Sequence, residues 1–230
     1  MMAMQEAVVA ATVLGAEAVE TEVALSGRQF YFMRHGQTAW NASGLICGRL
    51  DPPLDETGCR QAEEAGRVLA GLAFDGVAVS PQWRARQTAA LALPGRPLHG
   101  CEGLRERDWG ALEGRPLAEQ CGYRETPAGG ESWADFLTRV QGALQQVLAE
   151  YDRPLIIAHS GIWRALRALA TGAPEGPRIA NARPVLVVPS ARLLSRVSSA
   201  GAAGRNRQET STATPVPAAV LHADVPVINL

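Results

Sequence analysis

No Cys-x-x-Cys pair and no Cys/His cluster with ligand spacing occurs in this 230-residue sequence, although it carries four cysteines, Cys47, Cys59, Cys101 and Cys121. That absence speaks against both a zinc site and a disulfide framework, and it leaves the cysteines as reduced thiols of a cytoplasmic protein. A surplus of charge of one sign is also missing. The net charge is −1 and the pI about 6.4, so no global basic field draws the chain to nucleic acid or to an anionic membrane. An anion site, if there is one, must be a local basic pocket. Residues 1–27 are rich in alanine and valine but are broken by Glu6, Glu17, Glu20 and Glu22. They show neither a basic start nor an apolar stretch long enough to cross a bilayer, so we read them as an extension, helical or disordered, with Met4 or a later residue as an alternative start. No internal repeat and no second catalytic domain is visible.

What is present suits one α/β domain with a sizeable core: hydrophobic residues make up 47% and charged residues 20% of the chain. Gln29 to Met33 reads as a buried strand, and the Gly/Pro-rich segment from Asn41 to Pro53 as a loop over whatever that strand delivers. Helices are expected over Glu56–Ala70, Trp83–Leu93 and Gly161–Thr171, and strands over Gly76–Ser80, Pro154–Ala158 and Arg183–Val188. A short strand fits between Arg96 and Leu104. The clearest element is Ser132 to Tyr151. There Trp133, Phe136, Leu137, Val140, Leu144, Val147, Leu148 and Tyr151 recur at spacings of three and four, with Ser132 as N-cap and Asp135 completing a capping box. Strands alternating with helices imply a three-layer α/β/α fold around a mainly parallel sheet.

The chemistry gathers at strand exits, where open α/β sheets place their ligands. Phe32-Met33-Arg34-His35-Gly36-Gln37 sets an arginine and a histidine at the first exit, and Ile156-Ile157-Ala158-His159-Ser160-Gly161 sets a second histidine at another. An imidazole beside a permanently charged guanidinium suits attack on an anionic group such as a phosphate ester. For an isolated Arg-His-Gly, an ordinary polar turn would be the better reading. Three further blocks overturn it: Gly48-Arg49-Leu50-Asp51-Pro52-Pro53-Leu54 after Thr38-Ala39-Trp40-Asn41, then Ser80-Pro81-Gln82-Trp83-Arg84-Ala85-Arg86-Gln87-Thr88-Ala89, then Leu104-Arg105-Glu106 with Gly110 and Glu113-Gly114.

In that order these blocks resemble the histidine phosphatase, or phosphoglycerate-mutase-like, superfamily, from about Phe30 to Pro189. The resemblance implies a phosphoglycerate-mutase-like fold and a phosphohistidine intermediate on His35. It further implies phosphate binding by Arg34, Asn41 and Arg84, a further donor in His159 (cationic once a phosphate dianion is bound), and Glu106 as general acid. It implies no metal and no cofactor, because cationic side chains replace them, and a small phosphorylated metabolite as partner. Members often pair, so a homodimer is compatible with it. Arg86 and His99 read as surface residues and Asp108 as a weaker rival acid. Arg49 can touch substrate or pair with Asp51, Glu113 fits a hydrogen bond to a loop, and Trp163 and Arg164 fit packing at a helix start.

Within the family, mutases carry a long basic insertion before the helix at Ser132. Here only Arg115 to Gly130 fills that gap, with Arg115 and Arg124 as its basic residues. A small, weakly basic lid retains a doubly phosphorylated intermediate poorly, which favours a phosphatase, of the broad-specificity or α-ribazole kind, over a phosphoglycerate mutase. A module that binds a phosphate ligand without turnover is the non-enzyme alternative. The domain thus spans 28–189. Residues 190–230 read as a polar low-complexity tail without the expected closing strand. Within it Ser195–Pro217 is disordered by default, and Ala218–Leu230 is apolar enough to add an edge strand.

Overall fold

Alternation along short strands organises the molecule. The computed structural model describes residues 28–199 and 225–230. In chain order its elements are β1 (Phe30–Arg34), α1 (Ala39–Ala42), α2 (Glu56–Leu69), β2 (Val77–Val79), α3 (Trp83–Ala92), β3 (His99–Gly100), α4 (Trp133–Glu150), β4 (Leu155–Ala158), α5 (Ser160–Thr171), β5 (Val185–Val188), α6 (Ala191–Ser199) and β6 (Val227–Asn229). Phe30 and Phe32 of β1 face one way and Tyr31 and Met33 the other, as a period of two requires. Ile156 and Ala158 of β4 share the first face, where α4, α5 and α6 pack. Leu155 and Ile157 share the second, beneath α2 and α3. Both faces are covered, so the architecture is the expected three-layer α/β/α sandwich.

The sheet runs β3-β2-β4-β1-β5-β6. β3, β2, β4 and β1 are mutually parallel, whereas β5 pairs antiparallel with β1 and parallel with β6. The parallel strands therefore end along one edge. β5, running the other way, begins beside that edge, where Ala182 N–H donates to Arg34 O at 2.8 Å.

Local chemistry accounts for the helix starts. Asp55 caps α2 by accepting from Gly58 N at 2.7 Å, and Ser132 caps α4 by accepting from Asp135 N at 3.1 Å. The segment expected to be loop from Asn41 onward begins with the single-turn α1. There Thr38 and Asn41 form a capping box, so Asn41 Oδ1 accepts from Thr38 N at 3.3 Å.

At the end of the chain, the tail expected from residue 190 onward begins with a helix, and the edge strand anticipated within Ala218–Leu230 is present. Ala191–Ser199 forms a helix, with Leu193 buried against the face made by α4 and α5. A short polar-rich stretch gains from that docking what its composition does not advertise. The apolar end supplies the edge strand β6, and Leu230 is buried. The expected extension 1–27 and the stretch 200–224 lie outside the described residues. Among the described residues no helix is long and apolar enough to cross a membrane, and no three His, Cys, Asp or Glu side chains are grouped to hold a metal.

Candidate active site

Four strand ends deliver the site. β1 ends in Arg34 and runs into His35, and β4 runs into His159, whose residue also starts α5. β2 runs into Ser80 and then the first turn of α3 with Arg84. The turn after β3 leads to Glu106. The fold brings together His35, Glu106, His159, Arg34, Asn41 and Arg84 around a cavity of about 250 Å³, which all of them border directly except Arg84 and His159. A larger depression of about 990 Å³ lies between α2 and residues 180–184; it is lined mainly by α2, and the catalytic candidates do not border it.

His35 is buried, and its Nδ1 lies 2.7 Å from the carbonyl oxygen of Gly36. A carbonyl only accepts, so Nδ1 carries the proton and Nε2 keeps a free lone pair. Burial first, then the guanidinium groups of Arg84 and Arg34, push the His35 pKa well below its ordinary value. The ring is therefore neutral at neutral pH, as a nucleophile must be. His159 lies with its ring centre 5.2 Å from that of His35. Burial and the charge of Arg84 lower its pKa as well. The cationic donor that a bound dianion would favour is thus a neutral donor in the free protein.

Three buried side-chain nitrogens among the described residues have no hydrogen-bond partner: Arg34 Nε, Arg84 Nε and His159 Nδ1. Unpartnered buried groups are rare, and all three belong to this site. The guanidinium of Arg84 is held by the neighbouring loop. Arg84 Nη1 donates to Leu50 O at 3.0 Å and Asp51 Oδ1 at 2.9 Å, and its Nη2 donates to Gly48 O at 2.9 Å. The Gly48–Asp51 loop thus takes the fork of Arg84 and leaves Nε for a ligand. Asp51 pairs with Arg84 rather than with Arg49, which lies 3.6 Å from Asp108.

Glu106 is buried, and burial raises its pKa against the opposing effect of two backbone donors, Gly161 N at 2.8 Å and Arg107 N at 2.9 Å. A carboxyl that holds its proton longer than usual suits a general acid. The approach of Gly161 is so close that a Cβ there would fall within the Glu106 carboxylate. Gly161→Ala is expected to displace Glu106 and lower kcat by about 10²-fold, within the range for losing a general acid, with little change in KM. Steady-state kinetics with an alkyl phosphate checks this, and an unchanged kcat would contradict it.

Glu113 accepts from Arg49 N and Leu50 N, both at 2.6 Å, which is the loop-holding bond expected of it. Arg164 donates to Pro174 O and Gly176 O, Trp163 packs in the core, and Arg86 is exposed. His99 sits on β3, 3.7 Å from Glu150. Asp108 accepts from Gly110 N and does not border the cavity.

Several residues at the site take no role from the sequence alone, Ser80 and Gln82 among them although they lie in a motif block. Asn181 donates to His35 O at 2.8 Å from the start of the antiparallel β5, a neighbour that only topology supplies. Ser80 meets His159 Nε2 at 2.7 Å; its place at a strand exit was a signal available in the sequence. Gln82 accepts from Glu106 N at 2.7 Å and donates to Gly48 O at 2.7 Å, tying acid to loop. Arg107, fully buried, donates to Glu131 O, Tyr123 O and Glu125 O, and its guanidinium lies 4.7 Å from the Trp109 ring centre. It holds the 115–130 segment over the cavity. Arg178 borders the cavity.

The model of the histidine phosphatase superfamily (branch 1) matches residues 30–183. Among curated proteins, the chain is 36% identical over 189 residues to the 2,3-bisphosphoglycerate-dependent phosphoglycerate mutase of Bradyrhizobium sp. (strain BTAi1), a match covering 65% of this chain and 91% of that protein. It is 33% identical over 161 residues to the uncharacterized phosphatase PhoE of Bacillus subtilis (strain 168), covering 65% of this chain and 82% of that one. Among solved structures, the alpha-ribazole phosphatase from Shigella flexneri matches with a TM-score of 0.62 at 28% identity, over 71% of this chain and 92% of that chain.

Proposed function

The chain belongs to the histidine phosphatase superfamily, branch 1, and from that premise we propose that it hydrolyses phosphomonoesters through a phosphohistidine on His35. The observation that carries this reading is the trio of unpartnered nitrogens, Arg34 Nε, Arg84 Nε and His159 Nδ1, around a histidine whose Nε2 is free. A phosphoryl group in transfer spreads charge over three equatorial oxygens, and fixed donors aimed at them lower the barrier. Ser80 Oγ holds His159 Nε2 at 2.7 Å, and with Ser80 as the donor the His159 Nδ1 carries a hydrogen that a phosphoryl oxygen can accept.

The chemistry then runs in two displacements. His35 Nε2 attacks phosphorus, the bond from phosphorus to the ester oxygen breaks, and Glu106 gives its proton to that oxygen. Water next attacks the phosphohistidine, Glu106 takes the water proton, the P–N bond breaks, and inorganic phosphate leaves with His35 restored. Asn41, at the cavity wall, adds a neutral donor. The cationic and neutral donors of the chain neutralise the phosphoryl charge in this scheme without a metal.

A second reading, phosphoglycerate mutase, draws on the names of the mutase relatives. The short, weakly basic Arg115–Gly130 segment over the cavity supports hydrolysis, and the matched lengths are compatible with it. The mutase alignment runs over 189 residues and the PhoE alignment over 161, yet each takes up 65% of this chain. Within the matched region the mutase therefore carries many residues that this chain lacks, and PhoE far fewer. A lid missing such residues excludes water less well, and water is the second substrate of a hydrolase.

The test supplies p-nitrophenyl phosphate and 3-phosphoglycerate, with and without 2,3-bisphosphoglycerate, in the presence of chelator. Phosphate release from either ester, independent of the bisphosphate, is the expected result. Isomerisation of 3-phosphoglycerate that needs the bisphosphate, with no net phosphate release, would replace the hydrolase with the mutase.

A further inference from the structure

Glu106 is the site residue that the sheet supports least. His35 and His159 each follow a strand with a partner on both sides, β1 and β4, whereas Glu106 lies in the turn beyond β3 (His99–Gly100), a very short strand at the edge of the sheet. Its tolerance is nonetheless narrow. Gly161 N reaches its carboxylate at 2.8 Å, and a Cβ on Gly161 would already fall within that carboxylate. Something other than the sheet must fix the turn.

An ion pair at the start of α4 does so. Arg139 and Glu131 are both mostly buried and meet in fork geometry: Arg139 Nε donates to Glu131 Oε1 at 2.9 Å, and Nη2 donates to Oε2 at 2.7 Å. The rest of the guanidinium serves the turn. Nη1 donates to Gly103 O and to Arg105 O, both at 2.9 Å, and Nη2 approaches Glu106 O at 3.5 Å. Glu131 grips the chain just after the acid. Its carboxylate accepts from Asp108 N at 3.4 Å, its N–H donates to Asp108 O at 2.9 Å, and its carbonyl accepts from Arg107 Nε at 3.1 Å. Gly103 lets the helix come this close, since a Cβ there would lie 2.6 Å from that of Ala143. The chain is thus held before and after Glu106, and the Glu106 carboxylate is left to Gly161 N and Arg107 N.

We propose that Arg139, braced by Glu131, is a positioning residue for proton transfer to the leaving group, acting on the reaction by holding the turn that carries Glu106. This rests on Glu106 as general acid in the hydrolase reading above. A guanidinium serves two carbonyls and a carboxylate at once because its donors are fixed in one plane, and an ammonium has no such fork. Neither Arg139 nor Glu131 borders the catalytic cavity, so their effect does not come from contact with substrate. Misplacing a reacting group by about 1 Å costs on the order of 10²-fold in rate.

The readout is kcat/KM for an alkyl phosphate divided by kcat/KM for p-nitrophenyl phosphate. Both values report the steps up to departure of the leaving group, and only the alkoxide needs a proton to depart. The ratio is measured on the whole protein as wild type, Arg139→Ala, Glu131→Gln, Glu106→Gln and Val147→Ala. Val147 is buried about two turns further along α4, so Val147→Ala lowers stability at a distance from the turn. In Arg139→Ala the ratio is expected to fall by about 10- to 10²-fold. Glu131→Gln, which keeps one acceptor for Arg139, is expected to fall less, and Val147→Ala to keep the wild-type ratio. A wild-type ratio in Arg139→Ala, or an equal fall in Val147→Ala, overturns the positioning role. Should Arg139→Ala not fold, Glu131→Gln decides alone: a lowered ratio upholds the role and an unchanged one overturns it. An unchanged ratio in Glu106→Gln removes the acid assignment, and a wild type that releases phosphate from neither ester removes the hydrolase reading. In either case the role of Arg139 falls with it.

Discussion

His35→Ala is expected to lower kcat/KM for phosphate release by about 10⁴- to 10⁶-fold, the scale seen when a covalent nucleophile is removed. The geometry gives this residue no understudy. Its Nδ1 is committed to Gly36 O, its Nε2 is free, and burial beside two guanidinium groups keeps it neutral. The neighbouring His159 is engaged through Nε2 with Ser80, and its Nδ1 is buried without a hydrogen-bond partner. Rapid quench of the wild type during turnover in alkaline detergent is expected to trap an acid-labile, base-stable phosphoryl label, and the variant should show none. Exogenous imidazole, filling the space vacated by the side chain, is expected to restore part of the rate. A variant that keeps more than about one hundredth of the activity would remove His35 from the nucleophilic role, since general acid–base assistance alone is of that size.

Glu106→Gln carries the second largest expected effect, and its size depends on the leaving group. An alkoxide cannot depart without a proton, so alkyl phosphates should lose about 10²- to 10⁴-fold in kcat. The p-nitrophenolate ion departs unaided, and p-nitrophenyl phosphate should lose far less in the first displacement. The pH profile separates this role from a merely structural one. Burial raises the Glu106 pKa, so the protonated, active form persists above the ordinary carboxylate range and the rate falls as pH climbs through the raised value. That alkaline limb should vanish in Glu106→Gln. The acid limb belongs to His35, whose lowered pKa keeps it unprotonated well below its ordinary value, and should survive. Equal losses for both kinds of ester, with both limbs intact, would show that Glu106 is not the acid.

How much was legible before any fold was known can be argued from particular residues. His35 and His159 are separated by more than half of the chain, yet each follows an apolar run short enough to be a buried strand, and strand exits in α/β sheets converge. That rule, with the family's motif blocks, brings six residues to one place, and the sheet order β2-β4-β1 puts them there. Arg178 and Asn181 were not legible. They precede a strand that runs antiparallel to its neighbour, so they reach the site from a strand beginning rather than a strand end. Arg107 was hidden for another reason: it sits next to the acid in sequence, but its partners are carbonyls of a segment with no pattern of its own.

The sequence by itself determined the α/β layering, through alternation in strands and three-to-four spacing in helices, and it singled out the candidate residues His35, Glu106, Arg34, Arg84 and His159. Only the tertiary structure decided which nitrogens of Arg34, Arg84 and His159 are buried without a partner. Arg84 spends its fork on the Gly48–Asp51 loop, and Arg34 and His159 keep one unpartnered nitrogen each, because hydrogen bonds between distant segments are settled by packing and not by residue type. The same holds for α6, whose apolar residues are too few to announce a helix until a finished sandwich offers them a surface to cover, whereas the apolar end of the chain already suggested the edge strand β6.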